Sequence, residues 1–209
     1  GAACVQGAID AGDAESGVTI MHVALSLDQG DVILRAAVTL TPDETGGSLH
    51  DRLAELSPGA LLEAIDQLEA GTAVREVQDD GLSSYVPKLV RADGALDWSQ
   101  PAQALERRIR AYDPWPGTFT MFSDARGRAR RLKVFPMTTV RDGQGAPGEI
   151  LEASGDGIVV ACGEGALVLQ TLQPDGGRKV SAGDFLAGHP VGPSDRFFSL
   201  ENQEESAHT

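Results

Sequence analysis

At 209 residues the chain has room for one large domain or two smaller ones, and 41% hydrophobic content is enough to build a core. No apolar run approaches the ~20 residues that cross a membrane, and no basic stretch leads into a short apolar one, so neither a membrane-spanning nor a secretory class is indicated. The formal charge of −14 is uneven, with 15 acids against 3 bases in residues 1–80 but 11 bases against 5 acids in residues 88–141, which suits two domains with different tasks.

Residues 2–11 read as a helix with Val5, Ala8 and Ile9 on one face, and a chain that opens inside an ordered element is expected to be part of something longer. Residues 18–23 and 32–40 are β-branched and apolar, as strands packed on a core are. The loop between them carries Asp28, Gly30 and Asp31. An acid on a loop held by two strands has a fixed position, which catalysis needs; a plain polar hairpin turn is the competing reading. Thr45 and Ser48 can start a helix in which Leu49, Leu53 and Leu56 follow at helical spacing. Ser57 and Pro58 predict a second helix with Leu61, Leu62, Ile65 and Leu68 facing inward, ended by Gly71. These 1–72 residues are α/β material. Residues 73–96 lack periodicity and carry Gly81, Pro87 and Gly94, so they are expected to be a linker.

A second domain is expected over residues 97–191. Trp98 opens it, Ser99 and Pro101 start a helix with Leu105 and Ile109 inward, and Asp113-Pro114-Trp115-Pro116-Gly117 stops that helix. Both tryptophans are expected to plug the junction between helix and sheet. Five short strands follow at 118–122, 132–135, 148–153, 157–162 and 166–172, parted by glycine turns, which predicts a small β-barrel with the OB-fold as the candidate. A short helix at 181–186 closes it, and residues 192–209 are expected to be a disordered tail. The fold class is therefore α/β plus β. Cys4 and Cys162 show no metal-type spacing and read as two buried thiols of a reducing compartment.

The basic residues stand at Lys88 and Arg91, at Arg107, Arg108 and Arg110, and around the predicted hairpin as Arg126, Arg128, Arg130, Arg131 and Lys133. They serve either as a solvated face or as contacts to nucleic-acid phosphates. His22, His50, His189 and His208 occupy a strand, a helix start and the end of the chain, and are read as structural or solvated.

Several segments together resemble methionyl-tRNA formyltransferase. They include Ala11-Gly12-Asp13-Ala14-Glu15-Ser16-Gly17-Val18-Thr19-Ile20-Met21, Leu27-Asp28-Gln29-Gly30-Asp31 and Ser48-Leu49-His50-Asp51-Arg52-Leu53. Later ones are Pro87-Lys88-Leu89, Asp97-Trp98-Ser99, Arg107-Arg108-Ile109-Arg110-Ala111-Tyr112-Asp113-Pro114-Trp115-Pro116-Gly117, Leu172-Gln173-Pro174 and Ala182-Gly183-Asp184-Phe185-Leu186. The likeness runs in order from residue 1 to about 197. It implies formyl transfer from 10-formyltetrahydrofolate, without a metal, to the amino group of methionyl initiator tRNA. It also implies the end of a Rossmann-like formyltransferase domain followed by an OB-like tRNA-binding domain, in a monomeric cytoplasmic protein.

By motif position the resemblance makes Asp28 the catalytic aspartate and Gly30 a member of the folate loop, and it assigns tRNA contact to Lys88, Arg91, Arg107, Arg126, Arg128, Arg130, Arg131 and Lys133. The family's catalytic asparagine and histidine would precede Gly1, so the 209 residues by themselves are expected to be inactive. Cys4 departs from the proline usual at its position. Two alternatives stay open: a sugar-nucleotide formyltransferase, whose family carries a segment like Asp113 to Gly117, and a non-catalytic RNA-binding module.

Overall fold

A computed structural model describes residues 2–199. The chain divides into two units, Gly1–Lys88 and Leu89–Thr209. Together they are a mixed α/β structure with several antiparallel sheets.

In the first unit, α1 (Cys4–Ala11) ends at Gly12, whose φ of 80° suits a residue without Cβ. Strands β1 (Glu15–Met21) and β2 (Val32–Thr39) pair antiparallel from Glu15 opposite Thr39 to Met21 opposite Val32, with a bulge at the loop end. Thr45 caps α2 (Gly46–Glu69) by accepting from the Ser48 N–H, while Ser48 Oγ accepts from the Thr45 N–H. Burial pushes the Glu44 carboxyl up, but hydrogen bonds from Ser48, Thr41 and Arg52 outweigh that and hold it below its usual range.

Where two helices were predicted, one continuous helix runs through Pro58. Proline removes one intrahelical bond there, and the Ser57 hydroxyl donates to the Leu53 carbonyl at 2.6 Å beside it. The inward face also differs from the expected one. Leu49, Ala60 and Ala64 are buried, whereas Leu61, Leu62, Ile65 and Leu68 are 41–63% exposed. Alanines at i and i+4 let the helix lie close on β1 and β2, and the leucines then fall outside that stripe.

The expected linker is mostly part of this first unit. Glu76 and Val32 exchange backbone hydrogen bonds at 2.8 and 3.0 Å, and the Val86 carbonyl accepts from the Ala2 N–H at 2.9 Å. Leu96, by contrast, is fully buried in the core of the second unit. The passage between units is thus narrower than 73–96.

In the second unit the Trp98 indole N–H donates to Thr120 Oγ1 at 3.0 Å inside the core. α3 (Ala102–Ala111) buries Leu105 and Ile109. Two four-stranded antiparallel sheets follow. In chain order the strands are β3 (Thr118–Ser123), β4 (Ala129–Val134), β5 (Thr139–Arg141), β6 (Ile150–Ser154), β7 (Gly157–Ala161), β8 (Ala166–Leu169), β9 (Thr171–Pro174) and β10 (Val180–Ser181). One sheet has the order β10-β9-β4-β3 and the other β5-β8-β7-β6.

Five strands were expected in this unit; eight are present among its described residues. The expected strand 166–172 is two, because at Gln170 the chain changes sheet and its carbonyl accepts from the Ala182 N–H that begins α4 (Ala182–Gly188). Between the sheets and helices, Phe122, Phe185 and Phe197 are each 1% exposed. Burial of each contributes about 2–3 kcal/mol.

Phe197 corrects the predicted tail. Residues 192–199 belong to the fold: Phe198 and Met121 exchange backbone bonds at 2.8 and 3.0 Å, and Arg196 bridges Glu149. Two aromatic residues after a polar run form no periodic pattern, so their burial left no local signal. Residues 200–209 of the predicted tail, His208 among them, lie outside the described residues.

Candidate functional site

The loop between β1 and β2, residues 22–31, is shaped by its own backbone and by one distant side chain. The His22 N–H donates to the Asp31 carbonyl at 2.9 Å, closing the loop base. Gly30 is buried against His22: a Cβ there would lie 1.6 Å from the His22 carbonyl oxygen. Glycine is required for this approach within the loop itself, a different reason from contact with folate. Asp28 has φ 58°, a left-handed conformation that aspartate tolerates better than most residues. The Gln78 amide donates to the carbonyls of Asp28 and Gly30 at 2.9 and 2.7 Å, which holds both residues in place. The Asp28 carboxylate stays exposed, and Val23, Leu25 and Leu27 beside it are at least 88% exposed. Arg75 Nε stands 3.3 Å from Asp31 at the base of the loop.

The basic residues of the second unit are arranged by β alternation. Phe119 faces Lys133, and Met121 faces Arg131, across β3 and β4. Leu132 and Val134 point into the core, so Arg131 and Lys133 share the outward face. The Arg131 guanidinium lies 3.5 Å from the Phe119 ring centre, and Lys179 Nζ lies 4.2 Å from that of Phe135. The buried Arg131 Nε has no hydrogen-bond partner among the described residues.

At the hairpin tip, Asp124 accepts from the backbone N–H groups of Arg126 and Arg128 at 2.9 and 3.0 Å, and from the Arg128 side chain. These bonds pull its carboxyl down to about 2. Because the folded value lies below the unfolded one, the order it gives the turn is complete above the ordinary 3.8 and is lost as pH falls through about 2. Arg126 and Arg130 are exposed.

Residues 1–65 match the family model described as formyl transferase, and residues 88–190 match that of the formyl transferase C-terminal domain. The chain is 47% identical over 191 residues to the methionyl-tRNA formyltransferase of Akkermansia muciniphila, an alignment covering 91% of this chain and 61% of that protein. It is 50% identical over 186 residues to that of Pseudomonas fluorescens, covering 89% of this chain and 56% of the relative. This chain belongs to the formyl transferase family. It spans about three-fifths of the length of the curated relatives it matches.

Solved structures agree on the fold. HypX from Aquifex aeolicus in complex with tetrahydrofolic acid superposes with a TM-score of 0.59 at 21% identity, over 95% of this chain and 36% of that one. An N-formyltransferase from Helicobacter canadensis, in complex with folinic acid and dTDP-3-aminofucose, gives 0.58 at 17% identity, over 84% of this chain and 60% of that one.

In this formyl transferase chain the predicted residues fall in both units. Asp28, Gly30 and Lys88 lie in the first unit and the remaining basic residues in the second. Arg91 covers the Trp115 ring at 5.7 Å, and Trp115 is 47% exposed instead of plugging a junction as Trp98 does. Arg107 is half-buried on α3, beside the Arg110–Glu106 pair. Gln78, which shapes the Asp28 loop, lies between the two matched segments and 50 residues from Asp28, so no local motif marked it.

The cysteines differ from each other, contrary to the expected pair of buried thiols. Cys4 is exposed, whereas burial pushes the Cys162 thiol up to about 11. At pH 7.5 an ordinary thiol is ~10% ionised and Cys162 more than 100-fold less, about in proportion to its reactivity. Iodoacetamide is therefore expected to label Cys4 within minutes and leave Cys162 unmodified until the chain is denatured, with mass spectrometry as the readout. Equal labelling of both thiols in the native chain contradicts this.

No helix among the described residues is long and apolar enough to cross a membrane. Among the same residues no group of three His, Cys, Asp or Glu stands close enough to hold a metal ion.

Proposed function

We propose that this chain is part of a methionyl-tRNA formyltransferase, which transfers the formyl group of 10-formyltetrahydrofolate to the amino group of methionyl initiator tRNA. The observation that carries the proposal is identity of 47–50% to relatives of that name over nine-tenths of the chain, through both the Asp28 loop and the basic hairpin. The first unit is read as the end of a Rossmann-like formyltransferase domain. The second is read as an OB-like domain, supported by its two antiparallel sheets and its C-terminal-domain match. The enzyme is proposed to be cytoplasmic and monomeric.

Formyl transfer requires the methionyl amine to attack the formyl carbon, a tetrahedral intermediate to collapse, and the amine's proton to reach the departing folate nitrogen. An exposed carboxylate on a shaped loop suits that proton path, either directly or by holding a neighbouring histidine in the right protonation state. Asp28 is assigned this role. Residues 22–31 would hold the donor's reactive end, with Gly30 acting through loop shape. Lys88, Arg91, Arg107, Arg126, Arg128, Arg130, Arg131 and Lys133 are assigned to the tRNA backbone. The family's asparagine and histidine complete the catalytic set ahead of Gly1, so the 209 residues alone are proposed to be inactive.

Binding of methionyl initiator tRNA by this chain, measured over 50–200 mM salt, tests the reading. Affinity is expected to fall at least tenfold across that range, with no competition from a UDP-sugar. Sugar-nucleotide binding without tRNA binding would move the assignment to a sugar-nucleotide formyltransferase.

A further inference from the structure

A cavity of about 340 Å³ lies between the β3–β4 turn and the end of α4, lined by Asp124, Arg126 and Arg128 on one side and by Gly188, His189 and Pro190 on the other. Three features make it a built site. Asp124 grips the turn backbone and the Nε and one terminal nitrogen of Arg128, so that guanidinium is held in place with its other terminal nitrogen spare. Arg126 is exposed on the same turn, and its side chain has no partner among the described residues. The His189 ring is fixed by stacking on Phe185 at 4.7 Å and 9°, and by the edge of Phe122 at 5.5 Å.

The histidine decides the ligand chemistry. Its Nδ1 lies 3.3 Å from the Phe185 carbonyl oxygen, which can only accept, so Nδ1 carries the hydrogen. In the neutral ring Nε2 is then an acceptor, able to take a donor from a ligand in the cavity. A phosphate supplies acceptors to Arg126 and Arg128 but no donor for Nε2. A ribose 2′-hydroxyl next to that phosphate supplies one.

We propose that this cavity is a ribonucleotide subsite, with phosphate on Arg126 and Arg128 and the ribose 2′-hydroxyl donating to His189 Nε2. It names the part of the RNA that the hairpin takes, and so rests on the tRNA-binding reading above. His189 then serves as a reader of RNA over DNA, where sequence alone gives a structural residue.

The test titrates the 15N-labelled chain with adenosine 3′,5′-bisphosphate and with its 2′-deoxy analogue, following the amides of 123–128, 188, 189 and 191, while methionyl initiator tRNA binding is measured in parallel. The ribonucleotide is expected to shift those amides and to bind about fivefold tighter than the deoxy analogue, a single hydrogen bond's worth. His189→Phe keeps the ring stack and is expected to abolish the preference. Arg126→Ala, at an exposed side chain, is expected to weaken both probes alike and provides a variant that packing does not confuse.

Equal binding of the two probes, or a preference that survives His189→Phe, overturns the 2′-hydroxyl assignment. tRNA binding unaffected by either variant, with no shift from the bisphosphate, overturns the subsite and leaves the tRNA reading standing. Shifts from the bisphosphate without tRNA binding support the subsite and overturn the tRNA reading.

Discussion

Replacing Asp28 with asparagine is expected to lower kcat for formylation of methionyl-tRNA by about 10²–10⁴-fold in the full-length gene product, the range for a lost general acid–base. The substitution is diagnostic because of how the loop is held. Gln78 binds the carbonyls of Asp28 and Gly30, and no side-chain bond to the Asp28 carboxylate is seen among the described residues. Asparagine also accepts a φ of 58° as readily as aspartate does. The loop should therefore keep its shape and lose only the charge, with Tm and tRNA Kd unchanged. Wild-type turnover by this variant would remove Asp28 from the chemistry. Gln78→Ala serves as the contrast: it releases the loop and should lower kcat with a fall in Tm, since both side-chain bonds to the loop carbonyls are lost together.

The second large effect concerns the hairpin. Changing Arg128, Arg130 and Arg131 together to alanine is expected to weaken tRNA binding about 10–100-fold at low salt, with little dependence on tRNA sequence. The slope of log Kd against log salt should drop by about 2–3, one per lost phosphate contact. The three do not stand alike. Arg128 is tied to Asp124, Arg130 is exposed, and Arg131 lies over the Phe119 ring. Removing Arg131 also uncovers that ring, so a lower Tm with an unchanged slope would assign Arg131 to packing instead. Unchanged affinity for the triple variant would make the cluster a solvated face.

Much of the local structure was legible beforehand because it depends on neighbours in the chain. The β1–β2 hairpin, the capped start of α2, and α3 with its stop at Asp113 to Gly117 follow from periodicity, caps and turn residues within about ten positions. The Asp28 loop and the basic hairpin were found the same way, since each is a compact run of distinctive residues. The resemblance, carried by ordered motifs, pointed to the family that the two family matches support.

What sequence could not show is what depends on partners far along the chain. The face that α2 buries was misread because apolar spacing does not say which stripe meets the sheet, and small alanines at 60 and 64 won that contact. Strands β5, β9 and β10 span two to four residues each, too few to show a period. Gln78 reaches the Asp28 loop across 50 residues, Phe198 pairs with Met121 across 77, and His189 meets Arg126 only around a cavity. Family membership, the first hairpin, the helix starts and the residue types available for chemistry are carried by the local sequence. Which side chains share a loop or a cavity depends on the folded chain, because those contacts are set by packing and hydrogen-bond satisfaction between segments that carry no mark of one another.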